Sequence, residues 1–293
     1  MFVLDTFPGI ETEVPLAPYT HFKIGGPARY LYRLQQIEDA SALLQAAAKD
    51  HLPVLVLGGG SNILISDQGF QGLVILNQTQ HIQINGTTVI SDSGVKLSKL
   101  ITETVHAGLT GLEYMVGIPG TVGGAVRGNA GIPGWEMKDF VIEGNIIDLK
   151  GNMQKIQKED FQFGYRDSIL KKNGCMLLSV TLCLQNGDKE ECQKRMRDIQ
   201  QTRLVKQPQG KSCGSFFKNP SKEQPAGLLI DQAGLKGYQI GGAKVSEIHA
   251  NFLMNTGTAT FDDFMQLASY IKKTVFERFH IMLEEEVQII APA

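Results

Sequence analysis

Two glycine loops constrain this chain more than any other feature. They are Gly58-Gly59-Gly60-Ser61-Asn62 and Gly117-Ile118-Pro119-Gly120-Thr121-Val122-Gly123-Gly124. Glycine has no Cβ, so it reaches positive φ and lets backbone N–H groups approach an anion closely. Two such loops in one half of the chain read as two walls of a nucleotide-diphosphate site, against the plainer alternative of two unrelated turns. Ser61 and Asn62 add side-chain donors to the first loop, which follows the apolar strand-like run Val54-Leu55-Val56-Leu57. A G-x-G-x-x-G pattern opening a helix, with an acid about 20 residues later, is missing, so a Rossmann site is not expected.

A third glycine-opened segment, Ser212-Cys213-Gly214-Ser215-Phe216-Phe217-Lys218-Asn219-Pro220, carries a hydroxyl, an amine and an amide. Ser215 lacks the G-x-S-x-G setting of a hydrolase nucleophile. It can instead donate a proton to a developing carbanion, or serve as a turn or cap residue. Phe216 and Phe217 read as core. Arg166, in Tyr165-Arg166-Asp167-Ser168, suits bidentate binding of a carboxylate, with a salt bridge to Asp167 as the alternative. Glu286 ends the acidic run Glu284-Glu285-Glu286 just before an apolar strand, so one of the three acids can point inward. His249, in Ile-His-Ala-Asn, reads as a buried structural histidine.

The 293 residues suggest about two domains, and 42% hydrophobic with 20% charged residues suffice for a sizeable core. A net charge of −2 argues against a protein built around nucleic-acid phosphates. Cys175, Cys183, Cys192 and Cys213 form no C-x-x-C pair, as expected of reduced thiols in a reducing cytoplasm. The first residues lack the basic start and apolar run of a signal peptide, and no stretch approaches the ~18 apolar residues of a membrane span. A cytoplasmic protein without membrane or nucleic-acid partners, and monomeric, is expected.

Helices are predicted over residues 37–51, 97–107, 189–204 and 228–233, and a long one from Thr260, with Asp263 completing a capping box. Strands are predicted over 54–57, 73–76, 141–149, 175–184 and 286–290, with a hairpin turning at Asn85-Gly86. Residues 111–134 read as one long glycine-rich loop. Short strands with segregated helices indicate an α+β chain.

Taken in order, residues 20–28, 58–62, 117–131, 165–168, 214–220, 229–237 and 241–246, with Glu286-Val287, resemble the UDP-N-acetylenolpyruvylglucosamine reductase family. These are flavoenzymes that reduce an enolpyruvyl ether in bacterial peptidoglycan synthesis. The resemblance implies a two-lobed FAD-binding domain of the vanillyl-alcohol-oxidase type (lobes 1–72 and 73–205) and a C-terminal α+β substrate domain (206–293). It also implies non-covalent FAD, NADPH as electron donor and a UDP-sugar substrate. Residues 58–62 and Ile118, Pro119, Gly120, Thr121, Gly123 and Gly124 would surround the diphosphate. Ser215 takes the place of the proton donor, and Arg166 and Glu286 the places of residues that stabilise the enolate. Lys206, Lys218 and Asn219 match positions lining the UDP-sugar or flavin region.

The chain departs from the family's pattern at several points. Gln288 stands where an arginine often follows Glu-Val, His280 where glycine is usual, and Arg127-Gly128 where a more apolar pair is common. No insertion carries the substrate-capping tyrosine of the longer subclass, so the shorter subclass is the better likeness. The alternatives are another non-covalent FAD oxidoreductase of the same cofactor fold, acting on a small alcohol or sugar, or a nucleotide-binding regulatory module without turnover. Retention of Arg166, Ser215 and Glu286 together argues against the latter.

Overall fold

The apolar run Val54–Leu57 forms a strand that pairs in parallel with Phe70–Asn77, Val54 opposite Leu73 and Leu57 opposite Leu76. Together with Ile10–Pro15 and Pro27–Leu34 they make a four-stranded sheet, with Phe70–Asn77 between Pro27–Leu34 and Val54–Leu57. This is a computed structural model, and it describes residues 2–291. The chain divides into two compact units interleaved along the sequence. One comprises the stretch ending at Thr12, Arg29–Gly59 and Gln71–Gln201; the other comprises Glu13–Ala28, Gly60–Phe70 and the chain from Thr202 onward.

In the first unit the helix Asp39–Lys49 buries Ala40, Leu43, Leu44 and Ala47, which recur at helical spacing on one face. They share a core with Leu73 and Ile75 of the four-stranded sheet and with Ile147, Met176 and Leu178 of a second sheet. One helix thus serves both sheets, and full burial of each leucine contributes about 1.5–3 kcal/mol. The second sheet is antiparallel throughout, in the order Met153–Gln157, Val141–Ile147, Met176–Cys183, Thr88–Asp92, Ile82–Asn85. The helices Leu97–His106 and Val122–Arg127 contribute Leu97, Leu100, Ile101, Val122 and Val126 to its other core.

The second unit is built on the helix Phe261–Phe279. Thr260 Oγ accepts the Asp263 N–H at 3.2 Å and the Asp263 carboxylate accepts the Thr260 N–H at 3.0 Å, closing the expected capping box. Phe264, Leu267, Ala268, Ile271 and Val275 face a core with Phe22, Phe216, Phe217, Leu229 and Ile230. The helix ends at His280, which adopts the left-handed conformation with φ 57°. The strand Gln288–Ile290 pairs in parallel with Ile63–Ile65.

Several expectations need correction. Residues 111–134 are not a structureless loop: they hold a 3₁₀ turn at Leu112–Met115 and a six-residue helix at Val122–Arg127. The terminal strand begins at Gln288, so Glu286 precedes it. The strand Pro27–Leu34 lay unrecognised behind Pro27 and its charged arginines.

Candidate active site

In the first unit the two glycine loops touch. A Cβ on Gly59 would lie 2.7 Å from the Cα of Gly120, and one on Gly58 would lie 2.4 Å from Thr121 Oγ. Only glycine permits that approach of one backbone to the other. Among the described residues, no hydrogen bond is made by the backbone N–H of Gly59 or Gly60. Gly123 plays a different part: its N–H donates to Ser93 O at 2.8 Å, and a Cβ there would meet Ser93 Cβ at 2.8 Å. Val122 N–H is likewise engaged, on Val95 O, and Gly124 N–H is capped by Thr121 Oγ. The donors left over lie at the first loop and not at the start of the short helix.

Arg166 occupies a tight turn closed by mutual backbone bonds between Gly164 and Asp167, 3.0 and 3.3 Å. Its φ of 53° lies in the left-handed region, unusual for a side chain of this size. The turn is fastened to residues 127–131 by three bonds. Asn129 Nδ2 donates to Gly164 O at 2.9 Å, Ser168 Oγ donates to Arg127 O at 2.8 Å, and Arg166 Nη1 donates to Gly131 O at 3.2 Å. Asn129, fully buried, also accepts the Lys138 N–H at 3.0 Å. Asp167 binds Lys172, which holds its carboxyl below the ordinary range. Burial pushes the nearby Arg127 guanidinium down, against the opposing charge of Asp167.

In the second unit, Gly60 has φ 60°, and a Cβ there would collide with Tyr19 O at 1.9 Å. Two residues on, Asn62 Nδ2 donates to Glu286 O at 3.1 Å. Ser215 bridges to Phe252 on one side, and the next residue bonds on both: Phe216 N–H donates to Asn251 O and Phe216 O accepts the Glu286 N–H, each at 2.8 Å. Ser215 and Glu286 are thereby held on neighbouring backbone segments. The three acids separate cleanly: Glu284, exposed, pairs with Lys218 at 3.2 Å, and Glu285 pairs with Lys272 at 2.9 Å. Burial drives the Cys213 thiol strongly upward and the charge of Glu286 adds to the effect, so the thiol stays neutral.

Asn219 Oδ1 accepts the Ala226 N–H at 3.0 Å, at the start of the helix Ala226–Gln232. Lys206 ends the helix Lys189–Lys206, exposed, with no ion pair among the described residues. The structure thus joins Gly58 and Gly59 to Gly120 and Thr121 within one unit, and Asn62, Ser215, Lys218 and Glu286 within the other. Sequence reasoning missed Asn129 and Asn251, the buried asparagines that fasten Arg166 and Ser215. Each sits beside a recognised motif, but an amide's partners are invisible in a sequence.

Backbone donors left over at a glycine turn that abuts a second one suit the diphosphate of a flavin dinucleotide. Fold and loops together define an FAD-binding protein, and residues 28–157 match the family model described as an FAD binding domain. Residues 206–290 match the C-terminal domain of UDP-N-acetylenolpyruvoylglucosamine reductase. Reductases of that name from Alkaliphilus oremlandii and Lactiplantibacillus plantarum are 39% and 40% identical to this chain, covering 94% and 98% of it and 91% and 96% of their own lengths. The crystal structure of the reductase from Thermus caldophilus superposes with a TM-score of 0.83 at 36% identity, covering 96% of this chain and 99% of that one. The chain belongs to the UDP-N-acetylenolpyruvoylglucosamine reductase family. Its fold is an FAD-binding domain of the vanillyl-alcohol-oxidase type joined to that family's C-terminal domain. Among the described residues, no helix is long and apolar enough to cross a membrane, and no group of three or more His, Cys, Asp or Glu could hold a metal.

Proposed function

We propose that this chain reduces UDP-N-acetylglucosamine enolpyruvate to UDP-N-acetylmuramate with NADPH, in the cytoplasm and as a monomer, as a step of peptidoglycan synthesis. FAD, bound without a covalent link, supplies the hydride that reaches the enolpyruvyl β-carbon. Gly58, Gly59, Gly60, Ser61 and Asn62 hold it, with Ile118, Pro119, Gly120, Thr121, Gly123 and Gly124 as the second wall. Arg166 binds the substrate carboxylate and lowers the cost of enolate charge, an electrostatic contribution of about 3 kcal/mol. Ser215 delivers a proton to the α-carbon. Glu286 takes part with Arg166 in stabilising the enolate. Lys206, Lys218 and Asn219 take the UDP-sugar.

A serine hydroxyl is a weak acid, so it protonates carbon only where a strong base forms within hydrogen-bond reach. The observation that carries this reading is the Glu286 N–H to Phe216 O bond of 2.8 Å, which keeps the acid beside the serine-bearing segment. The test is NADPH oxidation by the flavin-loaded protein with and without the enolpyruvyl UDP-sugar. Sustained oxidation only with the sugar supports the reading; oxidation indifferent to it refutes the reading.

A further inference from the structure

We infer that Asn251 is a positioning residue for Ser215: its side-chain amide closes both backbone hydrogen-bonding groups of Phe217 and fixes the segment that carries the serine. The inference rests on the proton-donor reading of Ser215 above.

Residues 215–218 run between two neighbours, yet neither forms a regular ladder with them. On one flank the backbone bonds are Phe216 O to Glu286 N–H and Lys218 N–H to Glu284 O, each 2.8 Å. On the other flank lie the Ser215–Phe252 bridge and the Phe216 N–H to Asn251 O bond of 2.8 Å. A next strand residue would normally satisfy the N–H and C=O of Phe217. Here a side chain does so: Asn251 Oδ1 accepts the Phe217 N–H at 2.9 Å, and Asn251 Nδ2 donates to Phe217 O at 2.8 Å. The carboxamide has the same donor and acceptor as a peptide group, so it completes the pairing where the backbone turns away. Asn251 is 1% exposed and Phe217 fully buried, so no water replaces either bond.

The backbone that carries Asn251 is itself held. Asn251 N–H donates to His249 Nδ1 at 3.2 Å, and Ser246 Oγ accepts the N–H groups of Ile248 and His249 at 3.1 and 3.3 Å. This absorbs the Ile-His-Ala-Asn motif into the site, since its Asn251 immediately precedes Phe252, the residue that bridges to Ser215. A proton donor works only within about 2.6–3.2 Å of its target, and a 1 Å displacement can cost roughly 100-fold in rate. A clamp on Phe217 sets that placement without touching substrate.

The test compares the two half-reactions of the flavin-loaded protein. Asn251→Asp keeps the acceptor for the Phe217 N–H but sets an oxygen against Phe217 O; Asn251→Ser is too short to reach both groups and serves if the first variant does not fold. Flavin bleaching by NADPH, with no UDP-sugar present, is expected to stay within about 2-fold of the parent. Reoxidation of the reduced flavin by the enolpyruvyl UDP-sugar is expected to slow about 10- to 100-fold. In a Ser215→Ala background the same change is expected to add less than about 2-fold, because the clamp acts through the serine. Reoxidation at the parent's rate, an equal loss in both half-reactions, or full multiplication with Ser215→Ala would each overturn the inference. A parent that the UDP-sugar never reoxidises would instead overturn the functional reading beneath it.

Discussion

Asn62 reaches from the first glycine loop to the backbone carbonyl of Glu286, donating its amide across 3.1 Å, and the Gln288 N–H returns a bond to Asn62 O at 3.0 Å. The last residue of a loop read as a phosphate cradle therefore sets where the acid's backbone lies. Asn62→Ala is expected to lower stability by about 1 kcal/mol, the net worth of one such bond, measured by urea unfolding. Reoxidation of the flavin by the UDP-sugar is expected to slow more than its reduction by NADPH.

Gly59→Ala brings a methyl to 2.7 Å from Gly120 Cα, and neither backbone can yield without parting the loops. The variant is expected to fold while losing at least about 10-fold in FAD affinity, or about 1.4 kcal/mol. Titration of the deflavinated protein by flavin fluorescence checks this.

Ser215→Ala removes the proposed acid and leaves the glycine loops untouched. NADPH is expected to bleach the flavin at the parent's rate, while reoxidation by the UDP-sugar slows about 10²–10⁴-fold, the usual contribution of general acid catalysis. Rapid-mixing absorbance separates the two steps.

His280 caps the long helix with φ 57°, where the side chain crowds its own backbone. A non-glycine residue in this conformation is a local strain. His280→Gly is expected to raise stability by up to about 1 kcal/mol, seen as a higher Tm with unchanged turnover.

Burial lowers the affinity of His249 and of His21 for protons below their ordinary 6.5, and nearby Lys236 and Lys23 add to the effect. Below pH 6.5 the unfolded chain binds these protons and the native chain does not, so stability falls as pH drops from there toward the lowered native values. At higher pH the contribution is complete. Denaturant unfolding from pH 7.5 down to pH 5 should show this slope, and His249→Gln should reduce it.

The helices were legible because Ala40, Leu43, Leu44 and Ala47, or Phe264, Leu267, Ala268 and Ile271, repeat along one face, and Thr260 with Asp263 announced a capping box. Such signals are local. The pairing of Gln288–Ile290 with Ile63–Ile65 joins segments more than two hundred residues apart and leaves no local mark. The helix Val122–Arg127 hid in glycine content that normally opposes helices; Gly123 is tolerated there because its missing Cβ lets Ser93 approach. At the site, the residue types at Ser215, Arg166 and Glu286 could be read as chemistry. That Glu284 and Glu285 turn instead to Lys218 and Lys272 depended on side-chain directions no spacing encodes.

The most direct test is the absorbance of the flavin-loaded protein recorded alone, after NADPH under anaerobic conditions, and again after the enolpyruvyl UDP-sugar. Bleaching by NADPH followed by full return of the oxidised spectrum on adding the sugar is the expected result. A flavin that NADPH reduces but the sugar leaves bleached would contradict the account.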